Sequence, residues 1–299
     1  MKFRRHIATA VGLALALLMF TPAALAESNS EIEKQLNQAF AGKAIFLRTP
    51  SSGEKLDFDS NGHCKNQQRD SWTIAGVIAV NRVRMTDSAI EVDGERIVLV
   101  YDDQAKQFRS INPFSVTPSG IKILPAIPDK ANKKEKRLAE QTRIHVNILQ
   151  TSQPPTLQSA RDLMARVFLR PDEPLSHAVP IYWKNFVSGL DGGAEAASPF
   201  SGEGIYQAGN GVILPRVTYQ SDPEYSDMAR RLKRNATIVL LLVVDREGSV
   251  SQVAISKPAG LGLDEKAVES VSSWKFKPGA KDGEPVAIQI TVEVAFNLM

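Results

Sequence analysis

The last fifteen residues of the chain, PVAIQITVEVAFNLM, alternate between apolar and mostly polar or small side chains. The apolar set is Val286, Ile288, Ile290, Val292, Val294, Phe296 and Leu298. The intervening set is Ala287, Gln289, Thr291, Glu293, Ala295 and Asn297. A period of two places each set on one face of a β-strand. Full burial of one such apolar side chain contributes roughly 1.5–3 kcal/mol, so this long strand must be covered by a second layer.

Two more strands precede this one. The run ATIVLLLVVD is apolar on both faces and predicts a central strand that is covered on both sides. After Arg246 and Glu247 the chain continues as SVSQVAIS, a second strand, and Gly248 supplies the positive φ that the turn requires. Together with the final strand they predict a three-stranded antiparallel sheet.

Two amphipathic segments predict helices that cover this sheet. The first, QSDPEYSDMARRL, has Ser221 or Asp222 as its expected N-cap. Its apolar stripe is Tyr225, Met228, Ala229 and Leu232. The second, LDEKAVESVSSW, carries Asp264 and Glu265 where they suit the positive end of the helix dipole. Its apolar face is Leu263, Ala267, Val271 and Trp274. The order of elements is therefore α-β-β-α-β, an α+β fold.

The stretch SSWKFKPGAKDGEP joins the second helix to the final strand. Trp274 and Phe276 alternate with Lys275 and Lys277, and Pro278 ends the run. We expect the two aromatic rings to close the core at the helix end while the lysines stay in water. The aromatic residues would then hold the helix onto the sheet and bind no ligand.

These motifs resemble the C-terminal domain of TonB, the energy transducer of outer-membrane transport. The residues that carry the resemblance are Pro223, Tyr225, Ala229-Arg230, Val244-Asp245, Gly248, Gly262-Leu263-Asp264, Ala267, Trp274-Lys275-Phe276-Lys277-Pro278, Asp282-Gly283 and Pro285-Val286. The resemblance covers about the last ninety residues. It implies structural roles for Tyr225, Ala229, Gly248, Leu263, Trp274, Phe276 and Pro278.

The resemblance also implies a function, the capture of an extended peptide as an added strand. The peptide would be the TonB box of an outer-membrane transporter. The main chain of the final strand would bind it, at Ala287, Gln289, Thr291, Glu293 and Ala295. Another envelope protein, or a second copy of the chain paired through the same sheet edge, remains an alternative partner. The chain would then be a periplasmic assembly adaptor without an energy-transducing role.

The N-terminal half reads as a series of short strands separated by turn residues. They are KAIFLR, KLDFD, WTIAGVIAVNRVRM, AIEVDGERIVLVY, GIKILPA and TRIHVNILQ. Asp93-Gly94 and Asn61-Gly62 are expected turns, the first joining two hairpin strands. The pattern predicts a small antiparallel barrel or a sandwich, preceded by a helix from Glu31 to Phe40. GKAIFLR and WTIAGVIAV are similar to the front half of TonB-like proteins of soil bacteria.

The middle of the chain predicts a helix followed by a linker. TLQSARDLMARVFL has apolar residues at helical spacing and Thr156 as its expected N-cap. From Pro171 to about Gly211 the chain is rich in Pro, Gly, Ser and Ala, although IYWKNF within it should dock on a surface. The expected organisation is a signal peptide at 1–26, a β-rich domain at 27–150, a helix and linker at 151–210, and the TonB-like domain at 211–299.

The first 26 residues have the layout of a secretory signal peptide. Lys2, Arg4 and Arg5 precede an apolar core, and Ala24-Leu25-Ala26 is a small-x-small cleavage site. We expect export to the periplasm and a mature chain that starts at Glu27, with an inner-membrane anchor formed by residues 7–20 as the alternative.

The net charge of the whole chain is +3, which equals the three cations Lys2, Arg4 and Arg5 of this leader, so the remainder of the chain is formally neutral. A neutral chain has no global attraction for nucleic acid, and we interpret the basic run 130–137 as a solvated surface.

The sequence offers no pattern typical of a catalytic or metal site, and we expect neither an enzyme nor a cofactor. Cys64 is the only cysteine, so the chain has no internal disulfide, and His63 beside it lacks a second pair of metal ligands. Strand alternation places His145 on a solvent face. Ser52 to Lys55 and Ser272 to Lys275 match S-x-x-K without its partner motifs.

Overall fold

The computed structural model describes residues 28–111, 124–125, 142–152, 155–190, 199–200 and 204–298. The predicted signal peptide, the basic run 130–137 and most of the expected strand at 120–126 lie outside the described residues.

The N-terminal part contains helices and strands in the order α-β-β-α-β-β-β-β-β-β-α. The helices are α1 (Asn29–Phe40), α2 (Trp72–Ala75) and α3 (Leu157–Val167). The strands are β1 (Ala44–Phe46), β2 (Lys55–Phe58), β3 (Val77–Met85), β4 (Ala89–Arg96), β5 (Leu99–Asp102), β6 (Gln107–Ser110), β7 (Leu124–Pro125) and β8 (Arg143–Leu149).

Five of these strands form one sheet in the order β1-β3-β4-β8-β2, in which only β2 and β8 run parallel. Helices α1 and α3 cover one face of it. Ile32 and Leu36 of α1, with Met164 of α3, are fully enclosed among the inward-facing strand residues. Both helices begin at side-chain caps that satisfy free backbone donors. The Ser28 hydroxyl accepts from the Glu31 amide, and Thr156 forms a reciprocal capping box.

Three expectations for this part were wrong. The strands form an open mixed sheet backed by helices and not a barrel or sandwich. WTIA, expected as strand, is α2. Gly94 lies inside β4, and the β3–β4 turn is closed at Thr86, whose amide donates to the Ala89 carbonyl. A Cβ on Gly94 would lie 2.5 Å from the Ala79 oxygen, so this glycine permits a close approach of two strands and does not form a turn.

In the described residues from Ile181 onward, the C-terminal part has three α-helices and nine strands. The helices are α4 (Ile181–Leu190), α5 (Asp227–Leu232) and α6 (Leu263–Ser272). The strands are β9 (Ile205–Tyr206), β10 (Val212–Ile213), β11 (Arg216–Tyr219), β12 (Ala236–Val244), β13 (Val250–Lys257), β14 (Lys275–Lys277), β15 (Ala280–Lys281), β16 (Glu284–Pro285) and β17 (Ala287–Phe296).

The predicted α-β-β-α-β order is confirmed, with β12 in the centre of the sheet between β13 and β17. The sheet has four strands and not three, because β9 adds to β17 in parallel. The first helix also starts later than expected. Ser226 is the N-cap of α5, and its hydroxyl accepts from the Ala229 amide. Ser221 and Asp222 lie in the extended segment before it.

The two parts of the chain share a continuous apolar core. Trp183 of α4, in a segment interpreted above as linker, is fully buried between N-terminal and C-terminal residues. Its ring lies 5.1 Å from that of Trp72 and 6.1 Å from that of Phe108. Main-chain contacts add to this packing, since the Gly262 amide donates to the Thr73 hydroxyl at 3.0 Å. The docking expected for IYWKNF is thus observed.

Candidate functional site

The long final strand, β17, has two different sides. One side pairs with β12 along all of the strand except Ala287, from Ala236 opposite Phe296 to Val244 opposite Ile288. Within the described residues, the other side pairs only with β9, at Ala287 and Ile288. Among the described residues, the backbone from Ile290 onward has no strand partner on that side, which is the property of a strand edge that can accept another strand.

The five residues expected at this edge do not have equal surroundings. Ala287 lies opposite Ile205, so the chain itself already occupies that position. Gln289 is half-buried, while Thr291, Glu293 and Ala295 are exposed. Strand β9 thus takes the first of the five positions that the sequence predicted.

The apolar face of β17 is covered less completely than strict alternation suggested. Ile288, Val294 and Phe296 are buried, whereas Ile290 and Val292 are only partly covered. The middle of the strand therefore carries apolar surface close to the open edge.

Residues 204–219, here called the strap, run along the chain that leads into β17. Strand β9 pairs with β17, β10 pairs with β15, and β11 pairs with β14. The Lys281 ammonium lies 4.5 Å from the centre of the Tyr206 ring, a cation–π contact that holds the first strap strand in place. Sequence reasoning missed the strap because its strands are too short to show a period. The only sequence signal for these short strands was the Val and Tyr residues that lie between glycines.

Three of the residues given structural roles lie in or beside the first helix and at the start of α6. Ala229 and Leu263 are fully buried in the core. Tyr225 stands before α5, and its ring makes an edge contact with Phe296 at 5.3 Å. These contacts fix the first helix against the end of β17.

The aromatic pair after α6 is buried and the lysines beside it are exposed, as expected. The indole N–H of Trp274 donates to the Ser221 carbonyl and to the Ser270 hydroxyl, both at 3.2 Å. Phe276 lies in β14 against the turn at Gly248. Pro278 is half-buried beside that turn. This cluster closes one end of the core.

The two S-x-x-K matches are not assembled into a catalytic pair. The Ser52 hydroxyl donates to the Gln68 carbonyl, and Lys55 pairs with Asp57. The Ser272 hydroxyl donates to the Val268 carbonyl within its own helix.

Two histidines each lie beside one aspartate. The Nδ1 atom of His145 lies 2.7 Å from Asp93 Oδ1 on the sheet face, and that of His63 lies 3.3 Å from Asp59 Oδ2. Cys64 is a free thiol whose pKa is raised by burial. A raised pKa makes the thiol less reactive.

A groove of about 1300 Å³ lies between the N-terminal part, α4 and the start of α6. Glu265, at the start of α6, lines this groove, and Asp264 precedes it in the chain. Asp264 is fully buried, accepts from the Ala259 and Gly260 amides, and has a pKa raised well above its usual range by burial. Burial also raises the pKa of Glu265, which accepts from the Trp183 indole at 2.9 Å. The Asp264 carboxyl is thus bonded within the C-terminal part, and one Glu265 oxygen binds Trp183 in α4.

Comparison with known proteins identifies the C-terminal part. A family model described as the Gram-negative bacterial TonB protein C-terminal matches residues 221–298. These residues form a TonB C-terminal domain, which confirms the resemblance. Protein TonB of Vibrio cholerae is 32% identical over 83 residues, and Protein TonB of Xanthomonas campestris is 30% identical over 77 residues. The matches cover 27% and 25% of this chain and 34% of each relative, so the chain spans about a third of the length of these curated relatives.

A solved structure was also found, the solution NMR structure of the Pseudomonas aeruginosa TonB C-terminal domain. It covers 31% of this chain and 92% of that chain, with 17% identity and a TM-score of 0.25. Among the described residues, none of the helices has both the length and the apolar character needed to cross a membrane.

Proposed function

We propose that this chain is an exported cell-envelope protein whose C-terminal domain binds an extended peptide by strand addition at β17. The observation that carries the proposal is the one-sided pairing of β17 from Ile290 to Phe296 within the described residues. The family match supports it, because the matched relatives are named TonB. The partner proposed is a TonB-box segment of an outer-membrane transporter.

The expected affinity is modest. An added strand gains about four backbone hydrogen bonds along this edge, at ~0.5–1.5 kcal/mol each. Part of that gain is lost in ordering the peptide. Weak and reversible binding suits a coupler that must attach and release repeatedly.

Peptide titration tests the site. The chain from Glu27 onward, labelled with ¹⁵N, is titrated with a TonB-box peptide while backbone amide shifts are followed. We expect shifts concentrated between Gln289 and Phe296. Thr291→Pro removes one backbone N–H and distorts the strand, so it should abolish binding. Thr291→Val keeps the strand and should change the affinity little.

Circular dichroism and thermal melting must show that the proline variant remains folded. If it unfolds, the comparison moves to the wild-type chain, where shifts along β17 either occur or do not. An unchanged spectrum at saturating peptide would exclude this edge as the site.

An assembly adaptor without energy transduction is the second candidate. The close docking of the C-terminal domain on the N-terminal part favours it, since a coupler that crosses the periplasm needs reach. Cross-linked co-purification from the native host separates the two functions. Recovery of an outer-membrane transporter supports coupling, and recovery of an envelope assembly complex supports the adaptor.

The proposed location is the periplasm. Intact-mass measurement of the protein made in its own host should give a chain that starts at Glu27. Recovery of Met1 in the membrane fraction would instead favour an anchor formed by residues 7–20.

A further inference from the structure

Building on the proposed strand addition, we infer that the β17 edge accepts an added strand in one register. The preferred strand has an apolar side chain next to the strap and a basic side chain opposite Glu293. Three features of the described residues carry this inference. They are the position of β9, the hollow beside Leu214, and the unneutralised charge of Glu293.

The strap sets one end of the site. Ile205 lies opposite Ala287, and Tyr206 lies opposite Ile288, so no other strand can pair there while the strap is in place. The strap is held at three points, by the β9 pairing, by the Lys281–Tyr206 contact, and by the β10 and β11 pairings further along. An added strand is therefore confined to the eight residues from Gln289 to Phe296.

A hollow of about 320 Å³ lies where the strap leaves the edge. It is lined by Gln207, Ala208, Leu214, Gln289, Ile290 and Thr291. The Leu214 side chain is 45% exposed, and Ile290 beside the hollow is only partly covered. The terminal residue of an added strand would reach this position, and burial of an aliphatic side chain there would remove both residues from water.

Glu293 supplies charge selectivity in the middle of the edge. It is exposed and lies in a row across the sheet with Val239 and Lys257. Lys257 is two strands away, and its ammonium is bound to Asp103 at 2.9 Å. Within the described part of the chain, Glu293 has no ion-pair partner. A lysine or arginine directly opposite would form a favourable cross-strand pair, and an acidic residue would be repelled.

The test uses the full chain from Glu27 and two nine-residue probe peptides, one alternating valine and lysine, the other alternating valine and glutamate. Dissociation constants are measured from backbone amide shifts at low and physiological salt. The lysine peptide should bind roughly two- to fivefold more tightly. Glu293→Lys should reverse the preference. Glu247→Lys is the matched control, because it makes the same change in net charge at an exposed position in the turn between β12 and β13, on the other side of β12 from the edge.

The register has its own measurement. In the wild-type chain the shifts should cover Gln289 to Phe296 and leave Ala287, Ile288 and Ile205 unchanged. Leu214→Ala should weaken both peptides to a similar degree. Shifts at Ile205 on binding would show that the strap is displaced and would overturn the single register.

The outcomes separate this inference from the proposed function. Equal affinity for the two peptides, or a preference that Glu293→Lys leaves unchanged, overturns the inference while strand addition stands. A lack of shifts along β17 with either peptide overturns strand addition itself. Shifts that depend on protein concentration without peptide would identify a second copy as the occupant and would also overturn the inference.

Discussion

The N-terminal and C-terminal sheets differ in the origin of the side chains that cover them. The N-terminal sheet is covered on one face by its own flanking helices, α1 and α3. The C-terminal sheet is covered by α5 and α6, but its core continues into Trp72, Phe108 and Trp183 from earlier in the chain. One core is closed by local segments, and the other depends on residues that lie outside the family match at 221–298.

This difference concerns the family domain directly. A TonB C-terminal domain is recognised from about eighty residues, yet in this chain its apolar surface is completed by a partner region. We therefore expect the C-terminal sheet to be more sensitive to changes at the junction than its own sequence suggests. The following substitutions test that dependence, beginning with the largest effect.

Of these substitutions, Trp183→Ala should weaken the packing between the N-terminal and C-terminal parts the most. The variant loses ring contacts with Trp72, Phe108 and Phe186, and it leaves the Glu265 carboxylate without its indole donor. Removal of a buried tryptophan costs about 3–5 kcal/mol, and we expect the upper end of that range. Denaturant unfolding measures it. Ile181→Ala on the same helix is the control, because Ile181 is 80% exposed and should cost under about 0.5 kcal/mol. Equal effects of the two variants would contradict the shared core.

Trp274→Ala tests the part of the core that the C-terminal domain builds alone. Its ring is buried and its N–H is hydrogen-bonded to Ser221 and Ser270. We expect a loss of about 3–4 kcal/mol in the free energy of unfolding. A melting temperature that hardly changes would place Trp274 on the surface and would favour a binding role for it.

Gly248→Ala tests the hairpin between β12 and β13. Gly248 has φ +81°, and a Cβ there would lie 2.0 Å from the Phe276 oxygen. The combined strain should cost about 2–3 kcal/mol. Gly283→Ala is the matched control, since its φ of +90° is similar but no atom lies within 4 Å of the added carbon. It should cost only about 1 kcal/mol. If both variants unfold at the same denaturant concentration, the contact with Phe276 is not tight.

Glu265→Gln should change stability the least of these substitutions. It tests the junction through the pH dependence of the free energy of unfolding. The pKa of Glu265 is raised by burial, so the folded protein holds this proton more tightly than the unfolded chain. Its contribution to stability is full below the unfolded pKa and is lost as pH rises through the raised value. The side-chain amide of the variant should still accept the hydrogen bond from the Trp183 indole. Because it does not titrate, it should remove this pH-dependent loss of stability. Compared with wild type, the variant should gain stability as pH rises above the ordinary glutamate pKa of 4.5, by less than the cost of Gly248→Ala. Parallel stability curves would show that Glu265 is already solvated.

Local patterns predicted the C-terminal elements well. The alternation from Val286 to Leu298 gave β17, the all-apolar run gave the central strand, and Gly248 gave the turn. These features depend on residues that are close in sequence, so their physical causes are visible in the sequence. The helix α3 and its Thr156 cap were predicted for the same reason.

Long-range features could not be predicted. The dipeptide Asp93-Gly94 is typical of a turn. Only the close approach of β3 explains why Gly94 lies inside a strand. The strap strand Ile205–Tyr206 is defined by its partner on β17 and has no period of its own. The pairing of β9 with Ala287 therefore could not be inferred from β17 alone. The predicted role of the edge residues remains a prediction until a peptide is titrated.

The bond from the Gly262 amide to Thr73 has a consequence for the rate of folding. The two residues are 189 positions apart, and the Leu261 amide donates in the same region to the Leu99 carbonyl. Contacts of such separation form slowly, because a long loop must close before they contribute. The N-terminal sheet can collapse on its own helices first, and the C-terminal core must wait for it. During that interval the edge of β17 is exposed to other chains, so refolding yield should fall as protein concentration rises.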